Sequence, residues 1–232
     1  MSRDEAAPTR QPLTPERIVD EGVALADSGG LDALSMRTLA QRLGVVPMAL
    51  YKHVANKDQL LDGMVDRVWA EVEAPSPELG WRDAMRRRSV SLRDALLRHR
   101  WAVGMMEARL RPGVANLMQH NAMMGCLRRS GFSFRTTVHV TSVLDAYVYG
   151  FALQEKTLPF ETPEESGEVA QQKLEATPPE FAAAFPYLLE VVAELGSAGY
   201  DYDAEFATGL DVILDGIEQL RPGWATAEAD RP

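Results

Sequence analysis

Residues 34–63, LSMRTLAQRLGVVPMALYKHVANKDQLLDG, carry the pattern of two short helices joined by a tight turn. Ser35 can cap a helix through Arg42, because its hydroxyl can accept a hydrogen bond from a free N–H of the first turn. Gly44 permits a left-handed turn that a residue with a Cβ would resist. Pro47 suits the first turn of the next helix, where its missing N–H would have no partner. The segment therefore predicts a helix-turn-helix.

The second helix of this motif is expected to run from Pro47 to about His53. Leu50 would face the core and Val45 would plug the turn, while the outward side chains would be free to meet base edges in the major groove of DNA. These outward residues are Met48, Ala49 and Lys52. The motif thus predicts DNA binding.

The overall charge opposes DNA binding, because the chain has 24 Lys and Arg against 34 Asp and Glu, for a net charge of −10. Between Ala33 and Lys57, however, four residues are basic (Arg37, Arg42, Lys52 and Lys57) and none is acidic. Charges more than about 10 Å away are screened at ordinary salt, so this local patch is expected to bind DNA with a steep salt dependence. The alternative is an ordinary solvated helix face.

Length and composition indicate a protein with a substantial core, since 46% of its 232 residues are hydrophobic. No segment reaches the roughly 20 apolar residues of a membrane span, and the N-terminus lacks the apolar centre of a signal peptide. We therefore expect a cytoplasmic protein without membrane contact. Cys126 is the only cysteine, which excludes an intrachain disulfide and indicates a small core residue rather than a nucleophile.

Helical periodicity without a convincing alternating strand predicts an all-α protein with two domains. Residues 14–73 would form the helix-turn-helix domain with its connecting helix, and residues 78–221 would form a larger helical domain. Residues 1–13 and 222–232 are expected to be a disordered arm and a disordered tail.

Three boundaries outside the motif are also predicted. The connecting helix would run from Lys57 to about Glu73. The acidic, proline-bearing residues 157–178 are expected to be a mobile loop. A helix from Pro179 to Leu195 would be bent at Pro186.

Two helices of the larger domain are expected to pair with a second copy of the chain. The helix after Ser133 has almost no polar face, so it must be covered on two sides. In the last helix, apolar residues step by four, three and four positions, which is a narrow seam for another helix. The predicted interface residues are Val140, Leu144, Val148, Phe206, Leu210, Ile213 and Ile217. The alternative is that the seam closes the core of one subunit.

The chain resembles the TetR family of transcriptional repressors, and most of all its tetracycline-repressor branch. The similarity extends over LTPERIVDEGVALADSGGLDALSMRTLAQRLGVVPMALYKHVANKDQLLDGM, in which LYKHVANKDQLLD is a specific signature. It continues more weakly through LRDALLRHR, LRPG, LRRSGFS and YVYGFALQE to about residue 155. The resemblance implies a helical homodimer that binds a palindromic operator in double-stranded DNA and releases it when a small molecule occupies the larger domain.

The resemblance also implies roles for residues of the motif. Base contacts would come from Arg37, Pro47, Met48, Ala49 and Lys52, and phosphate contacts from Tyr51, His53 and Lys57. The chemistry agrees, because arginine can bond guanine bidentately and an apolar side chain can contact a thymine methyl. His53 could instead cap the helix end, and the ring of Tyr51 could also belong to the core.

The effector site departs from the family's pattern. Tetracycline repressors hold a drug–magnesium chelate with a histidine shortly before an Arg-Pro turn, where this chain has Glu107. We therefore predict no magnesium–tetracycline site, no cofactor and no metal, and we expect structural roles for His99, His120 and His139.

An apolar pocket with few polar groups is expected instead. Its predicted lining is Trp101, Met105, Met106, Met123, Met124, Tyr147 and Phe151, with Arg88, Glu107 and Asn116 as polar contacts. The alternative is that the methionines belong to the core.

The leading hypothesis is therefore a repressor without catalytic activity that responds to a small, largely apolar molecule. Two other classes stay open. A helical enzyme is disfavoured because the chain has no Gly-rich phosphate loop, no metal-spaced cluster and no nucleophile motif. A regulator controlled by a protein partner would have no small-molecule inducer.

Overall fold

The computed structural model describes residues 12–106, 109–160 and 162–220, and within them the chain forms eleven α-helices, one 3₁₀ helix and no strand. The predicted all-α class is confirmed. The helices are α1 (Pro15–Ala33), α2 (Met36–Arg42), α3 (Pro47–Leu50), α4 (Lys57–Trp69), α5 (Trp81–Arg98), a 3₁₀ helix (Ala102–Gly104), α6 (Val114–Arg129), α7 (Phe134–Thr157), α8 (Pro163–Glu175), α9 (Pro179–Ala184), α10 (Pro186–Ala198) and α11 (Tyr202–Leu220). The predicted arm up to Gln11, the tail, and Glu107 lie outside the described residues.

The chain divides into two compact units. The first contains the described residues up to Val72 together with 94–121, and the second contains residues 73–93 and those from 122 onward. Within the described part of the chain, no helix combines the length and the hydrophobicity of a membrane span.

Each unit has its own hydrophobic core. In the first unit, five side chains with no exposed surface come from four helices: Ile18, Leu39, Leu50, Leu60 and Met64. In the second unit, α5, α6, α7 and α11 contribute the fully buried Leu92, Leu127, Leu144, Leu210 and Leu214. Cys126 is also buried, as expected for a core residue, and burial raises the pKa of its thiol.

The predicted cap and turn of the helix-turn-helix are confirmed. Ser35 Oγ accepts from the Thr38 N–H at 3.1 Å, and the Ser35 N–H donates to Thr38 Oγ1 at 2.9 Å. At the other end of α2, Gly44 has a φ of +66°, and the Val45 N–H bonds the Ala40 carbonyl at 2.9 Å. This is the glycine-terminated helix end that satisfies the last carbonyls of α2.

The second helix of the motif, α3, is shorter than predicted. It ends at Leu50 rather than about His53. The N–H groups of His53 and Val54 both bond the Leu50 carbonyl, at 2.9 Å and 3.0 Å, so the chain leaves the helix in a tightened turn. Residues 51–53 therefore continue the helix only as turns.

The connecting helix α4 also ends early, at Trp69 rather than about Glu73. Beyond it the Val72 N–H bonds the Trp69 carbonyl at 3.2 Å, which closes a four-residue turn. The Gln119 side-chain amide donates to the Val72 carbonyl. This contact from α6 holds the turn in place.

The mobile loop predicted for residues 157–178 is wrong, because α8 occupies Pro163–Glu175. Thr162 Oγ1 accepts from the Glu165 N–H at 3.2 Å, and Pro163 fills the first helical position. Proline and glutamate in these places start a helix rather than break one. Buried small residues of α8, Ser166, Gly167 and Ala170, then allow α10 to pack closely against it.

The following helical segment is broken rather than bent. α9 ends before Phe185, whose φ of −128° and ψ of 54° lie outside the helical range, and α10 starts at Pro186. Proline cannot donate the hydrogen bond that would join the two helices.

We predict that Gly44→Ala lowers the free energy of unfolding by about 1–2 kcal/mol, because alanine is strained in the left-handed region. Urea denaturation followed by circular dichroism measures the change. Gly80→Ala is the matched control, since Gly80 has no positive φ and open space around its Cβ position. Equal stability of both variants would contradict the strained-turn explanation.

Candidate functional site

The helix-turn-helix presents apolar side chains to solvent around its turn. Met48 is 71% exposed and Val46 is 68% exposed. Leu50, the core residue of α3, is fully buried. Among the predicted contact residues, Arg37, Pro47, Tyr51 and Lys52 are exposed, and Ala49 and His53 are half-buried. The predicted outward face is therefore exposed, and it includes Val46, which the sequence analysis did not select. Val46 directly precedes the N-terminal proline of α3, a position from which a side chain can point outward.

The basic patch carries fewer available charges than its composition suggests. Arg42 Nε lies 2.8 Å from Glu21 Oε1 of α1, so this arginine is neutralised within the unit. Arg37 and Lys52 are exposed and form no ion pair within the described residues. These two side chains are positioned to meet an external anion or base.

Lys57 joins two elements of the motif. Its ammonium group donates to the Leu34 carbonyl at 2.7 Å, immediately after the end of α1. Asn56 caps the N-terminus of α4, where Lys57 is the first residue, by accepting from the Gln59 N–H at 2.8 Å. Because the N-terminus of α4 carries the positive end of the helix dipole, a nearby phosphate would be stabilised there.

In the first unit, a network of hydrogen bonds connects α4 to Arg109, which precedes α6, and to the first turn of α6. Arg109 Nε donates to Asp62 Oδ1 at 2.6 Å and Arg109 Nη2 to the Asp58 carbonyl at 2.9 Å. One helical turn further along α4, Asp66 Oδ1 accepts from the Asn116 N–H at 3.0 Å, in the first turn of α6. The side chain of Asp66 lies so close to Gly113 that a Cβ at position 113 would collide with it.

Two predicted pocket residues, Met106 and Asn116, line a cavity of about 240 Å³ beside this network. Its lining combines carboxylates, guanidinium groups and apolar surface. The other lining residues are Asp62, Val65, Asp66, Trp69, Arg109, Arg111, Pro112, Gly113 and His120. Sequence analysis did not select Trp69 or the α4 carboxylates for a pocket, because α4 was assigned only to support and connection, and it expected a structural role for His120.

Trp101 and His99 instead contact α1. Trp101 Nε1 donates to Asp27 at 2.7 Å, and His99 lies between Asp27 (2.9 Å) and Glu71 (3.1 Å). Burial tends to raise the pKa of Glu71, but hydrogen bonds from Arg98 and His99 hold this pKa below its usual value. His99 therefore has a structural position that links α1 to the turn after α4.

In the second unit, the other predicted pocket residues are packed against helices. Arg88, only 1% exposed, pairs with Asp145 of α7 at 2.7 Å. Tyr147 donates its hydroxyl to the Phe206 carbonyl at 2.9 Å, and the Phe151 and Phe206 rings meet edge to face at 5.1 Å. Burial raises the pKa of Tyr147. The methionines differ: Met123 is fully buried, Met105 is half-buried and Met124 is partly exposed.

Arg93 completes this aromatic cluster of α7 and α11. Its guanidinium carbon lies 4.8 Å from the Phe206 ring centroid, and its Nη2 is 2.5 Å from Glu155 Oε1. Burial would lower the pKa of Arg93, but the hydrogen bonds that its guanidinium donates to Glu155 and Asp203 outweigh burial and raise the pKa. A cation held over two rings and neutralised by carboxylates stabilises the contact between the two helices.

Most residues predicted for the dimer interface are buried within one subunit. Val140, Leu144, Val148, Phe206, Leu210 and Ile217 are covered by their own chain, and Ile213 is half-buried. Side chains with no remaining exposed surface have none to offer a partner, so the alternative interpretation as subunit core fits these six residues. The large apolar residues of α7 and α11 that remain exposed are Phe134, Val138, Val143, Leu153, Val212 and Leu220.

Within the described part of the chain, no group of three or more His, Cys, Asp or Glu residues is arranged to hold a metal ion.

Comparison with known protein families divides the chain in two. Residues 18–64 match the model of bacterial regulatory proteins of the tetR family, and residues 74–221 match the tetracyclin repressor-like C-terminal domain. Together these matches cover most of the chain.

Curated relatives align over nearly the whole chain. The HTH-type transcriptional repressor DrrR1 of Streptomyces coeruleorubidus is 32% identical, over 92% of this chain and 81% of the relative. The tetracycline repressor protein class A from transposon 1721 of Escherichia coli is 31% identical, over 90% of this chain and 92% of the relative.

Solved structures with the same fold include regulators bound to small molecules. ActR of Streptomyces coelicolor in complex with actinorhodin has a TM-score of 0.76 and 33% identity, over 91% of this chain and 98% of ActR. A TetR variant of Acinetobacter baumannii AYE in complex with minocycline has a TM-score of 0.68 and 26% identity, over 91% and 96% of the two chains.

We predict that Asp145→Leu destabilises the protein by about 3–5 kcal/mol, because it breaks the buried pair with Arg88. The double variant with Arg88→Met should recover most of this loss, since both charges are then removed. Urea unfolding measures both effects. Asp215→Leu is the control: its pair with Arg82 is at 2.6 Å but exposed, and such pairs contribute about 1 kcal/mol or less. A double variant no more stable than Asp145→Leu would be evidence against the pairing argument.

Proposed function

This chain belongs to the tetR family of bacterial regulatory proteins, and from that membership we propose that it is a cytoplasmic repressor that binds a palindromic operator as a homodimer. The observation that carries the proposal is the exposed face formed by α2, α3 and the turn after α3, where Arg37, Met48 and Lys52 lie around the helix-turn-helix with its capped first helix. Exposed Val46 and Met48 contribute nothing to the core, so their exposure is explained by contact with an external surface.

On this face we assign base contacts to Arg37, Pro47, Met48, Ala49 and Lys52, with Val46 added. Arginine and lysine supply hydrogen bonds to guanine, and the apolar residues contact thymine methyl groups. Tyr51, His53 and Lys57 are assigned to phosphates. Because each subunit offers few positive charges, one subunit alone is expected to bind DNA weakly. The specific complex therefore requires two subunits whose recognition helices are spaced by about one DNA turn, roughly 34–36 Å.

We assign the dimer contact to the exposed stripe of α7 and α11. Val138, Val143, Leu153 and Val212 supply apolar surface. Ala146, Gly150 and Gly216 are exposed small residues on the same helices, and small residues allow two helices to approach closely. The dimer contact is thus still assigned to α7 and α11, but to their exposed residues instead of the buried residues of the predicted seam.

We further propose that residues 78–221 form the effector domain and that residues 14–73 form the DNA-binding domain, with α4 as the connection. The cavity of about 240 Å³ lined by Met106 and Asn116 lies against α4, where occupancy would bear directly on the helix that supports the motif. This volume is below the roughly 300–1,000 Å³ of drug-sized sites, so it would accommodate one end of a small, largely apolar molecule. The relatives bound to actinorhodin and minocycline support an organic effector.

An electrophoretic shift assay with the promoter upstream of its own gene tests the central proposal. We expect a specific complex at low salt that weakens steeply as salt increases. A folded dimer that forms no specific complex would refute it.

Thermal shift across metabolites and antibiotics tests for an effector, since a ligand stabilises the folded state by mass action. Mass spectrometry of any bound ligand should recover it unchanged if the protein has no catalytic activity.

We predict that Arg37→Ala relaxes sequence selectivity at one base step and costs about 1–3 kcal/mol on the operator, whereas Lys57→Met weakens binding to all DNA and lowers the salt slope by about 1. Fluorescence anisotropy on operator and scrambled duplexes measures both. Arg42→Ala is the matched control on α2, because its charge is already paired with Glu21. If Arg37→Ala and Lys57→Met gave the same uniform loss, the division of roles would be wrong.

We predict that Val143→Glu or Val212→Glu converts the dimer to a monomer, because each places a charge in an apolar helix contact. Sedimentation or light scattering at micromolar concentration reports the mass. Val90→Glu is the control, as Val90 is an exposed valine of α5 outside the stripe. A dimer that survives both stripe variants would place the interface elsewhere.

A further inference from the structure

The helix α4 carries an acidic stripe formed by Asp58, Asp62 and Asp66. These residues are spaced by four positions, so they lie on one face of the helix. Asp58 follows Lys57 directly and has an 83% exposed side chain. The stripe therefore begins at the end of α4 that is assigned to DNA phosphates, where a negative charge opposes binding.

The partners of this stripe come from Arg109, which lies between the 3₁₀ helix and α6, and from the first turn of α6. Arg109 bonds Asp62 at 2.6 Å and approaches the Asp58 carboxylate at 3.7 Å. Asp66 accepts the Asn116 N–H at 3.0 Å, at the positive end of the α6 dipole. The charge of α4 is thus compensated by groups that belong to a neighbouring segment rather than to α4 itself.

Arg109 lines two cavities. One is the cavity of about 240 Å³ that also contains Met106, Asn116 and Asp66. The other is a cleft of about 550 Å³ that extends to Ala55, Asn56 and Gln59, at the start of α4. A molecule that enters the first cavity meets the same guanidinium that neutralises the DNA-proximal end of α4.

We propose that Arg109 is an electrostatic control residue, which permits DNA binding by masking the acidic stripe of α4 and permits release when it is drawn away. The inference rests on the proposed operator binding. It explains the coupling between effector binding and DNA release by a change in net charge at the N-terminus of α4, the helix end assigned to DNA phosphates. A change in the position of α4 alone would not depend on the sign of these charges.

The two explanations differ in the sign of one substitution. If Arg109 acts by masking charge, Asp62→Asn removes the repulsion and leaves the guanidinium in place, so DNA affinity rises. If the pair serves only to hold α4 in position, Asp62→Asn breaks it and affinity falls, as it does for Arg109→Gln. A positional role therefore predicts that the two variants change affinity in the same direction.

The experiment measures anisotropy of an operator duplex with wild type, Arg109→Gln, Asp62→Asn and the double variant. At low salt we expect Arg109→Gln to weaken binding about fivefold, and the effect to fall below about twofold at 0.5 M salt, where the Debye length is only a few ångströms. Asp62→Asn should strengthen binding about twofold, and the double variant should return to within about twofold of wild type.

Two further variants keep the test decisive. Arg109→Lys retains the charge and should bind nearly as wild type does, which a misfolded site would not. Arg111→Gln removes a nearby charge, since Arg111 is exposed and forms no ion pair within the described residues, and its loss should be smaller than that of Arg109→Gln. The inference is overturned if Asp62→Asn weakens binding, if the double variant shows no recovery, or if Arg111→Gln matches Arg109→Gln. A wild-type protein that binds no specific DNA would instead refute the proposed function.

Discussion

The first unit depends on the way α4 is held at both of its ends. At the N-terminus, the Lys57 ammonium bonds the Leu34 carbonyl and Asn56 caps the helix. Nearer the C-terminus, Asp66 accepts the Asn116 N–H of α6. Between these contacts, Leu60 and Met64 are fully buried against the rest of the unit. These contacts restrain α4 along its length, by directional hydrogen bonds near its ends and by packing in its middle.

This arrangement also explains how an acidic chain can present a surface to DNA. The net charge of −10 is the surplus of acidic over basic residues, and several basic residues are paired with carboxylates, such as Arg42 with Glu21 and Arg109 with Asp62. Such pairs contribute little stability when exposed, but they decide which charges remain for an external partner. Because Arg37 and Lys52 are exposed without an ion pair within the described residues, these two charges beside α3 stay available to an external partner despite the overall balance.

Local signals in the sequence predicted the helix-turn-helix well. The Ser35 cap and the Gly44 turn are properties of neighbouring residues, and they can be identified without knowledge of the tertiary fold. The end of α4 could not be identified in this way, since it depends on Gln119, a residue of another helix. The helix α8 was missed for a different reason: its glutamates were interpreted by charge alone, although Thr162 and Pro163 carry a helix-start signal.

The two helices proposed for dimerisation show why a hydrophobic pattern locates a helix better than it locates a contact. Apolar residues surround most of α7, so periodicity indicates that two faces are covered without saying which one belongs to the subunit. Packing decides this: Leu144 and Val148 meet the core with Leu210, while Val143 remains exposed. The residues with the strongest seam pattern are therefore used within the chain. The surface left for a partner is poorer in large side chains, and its smaller residues, Ala146 and Gly150 among them, favour close helix packing over deep burial.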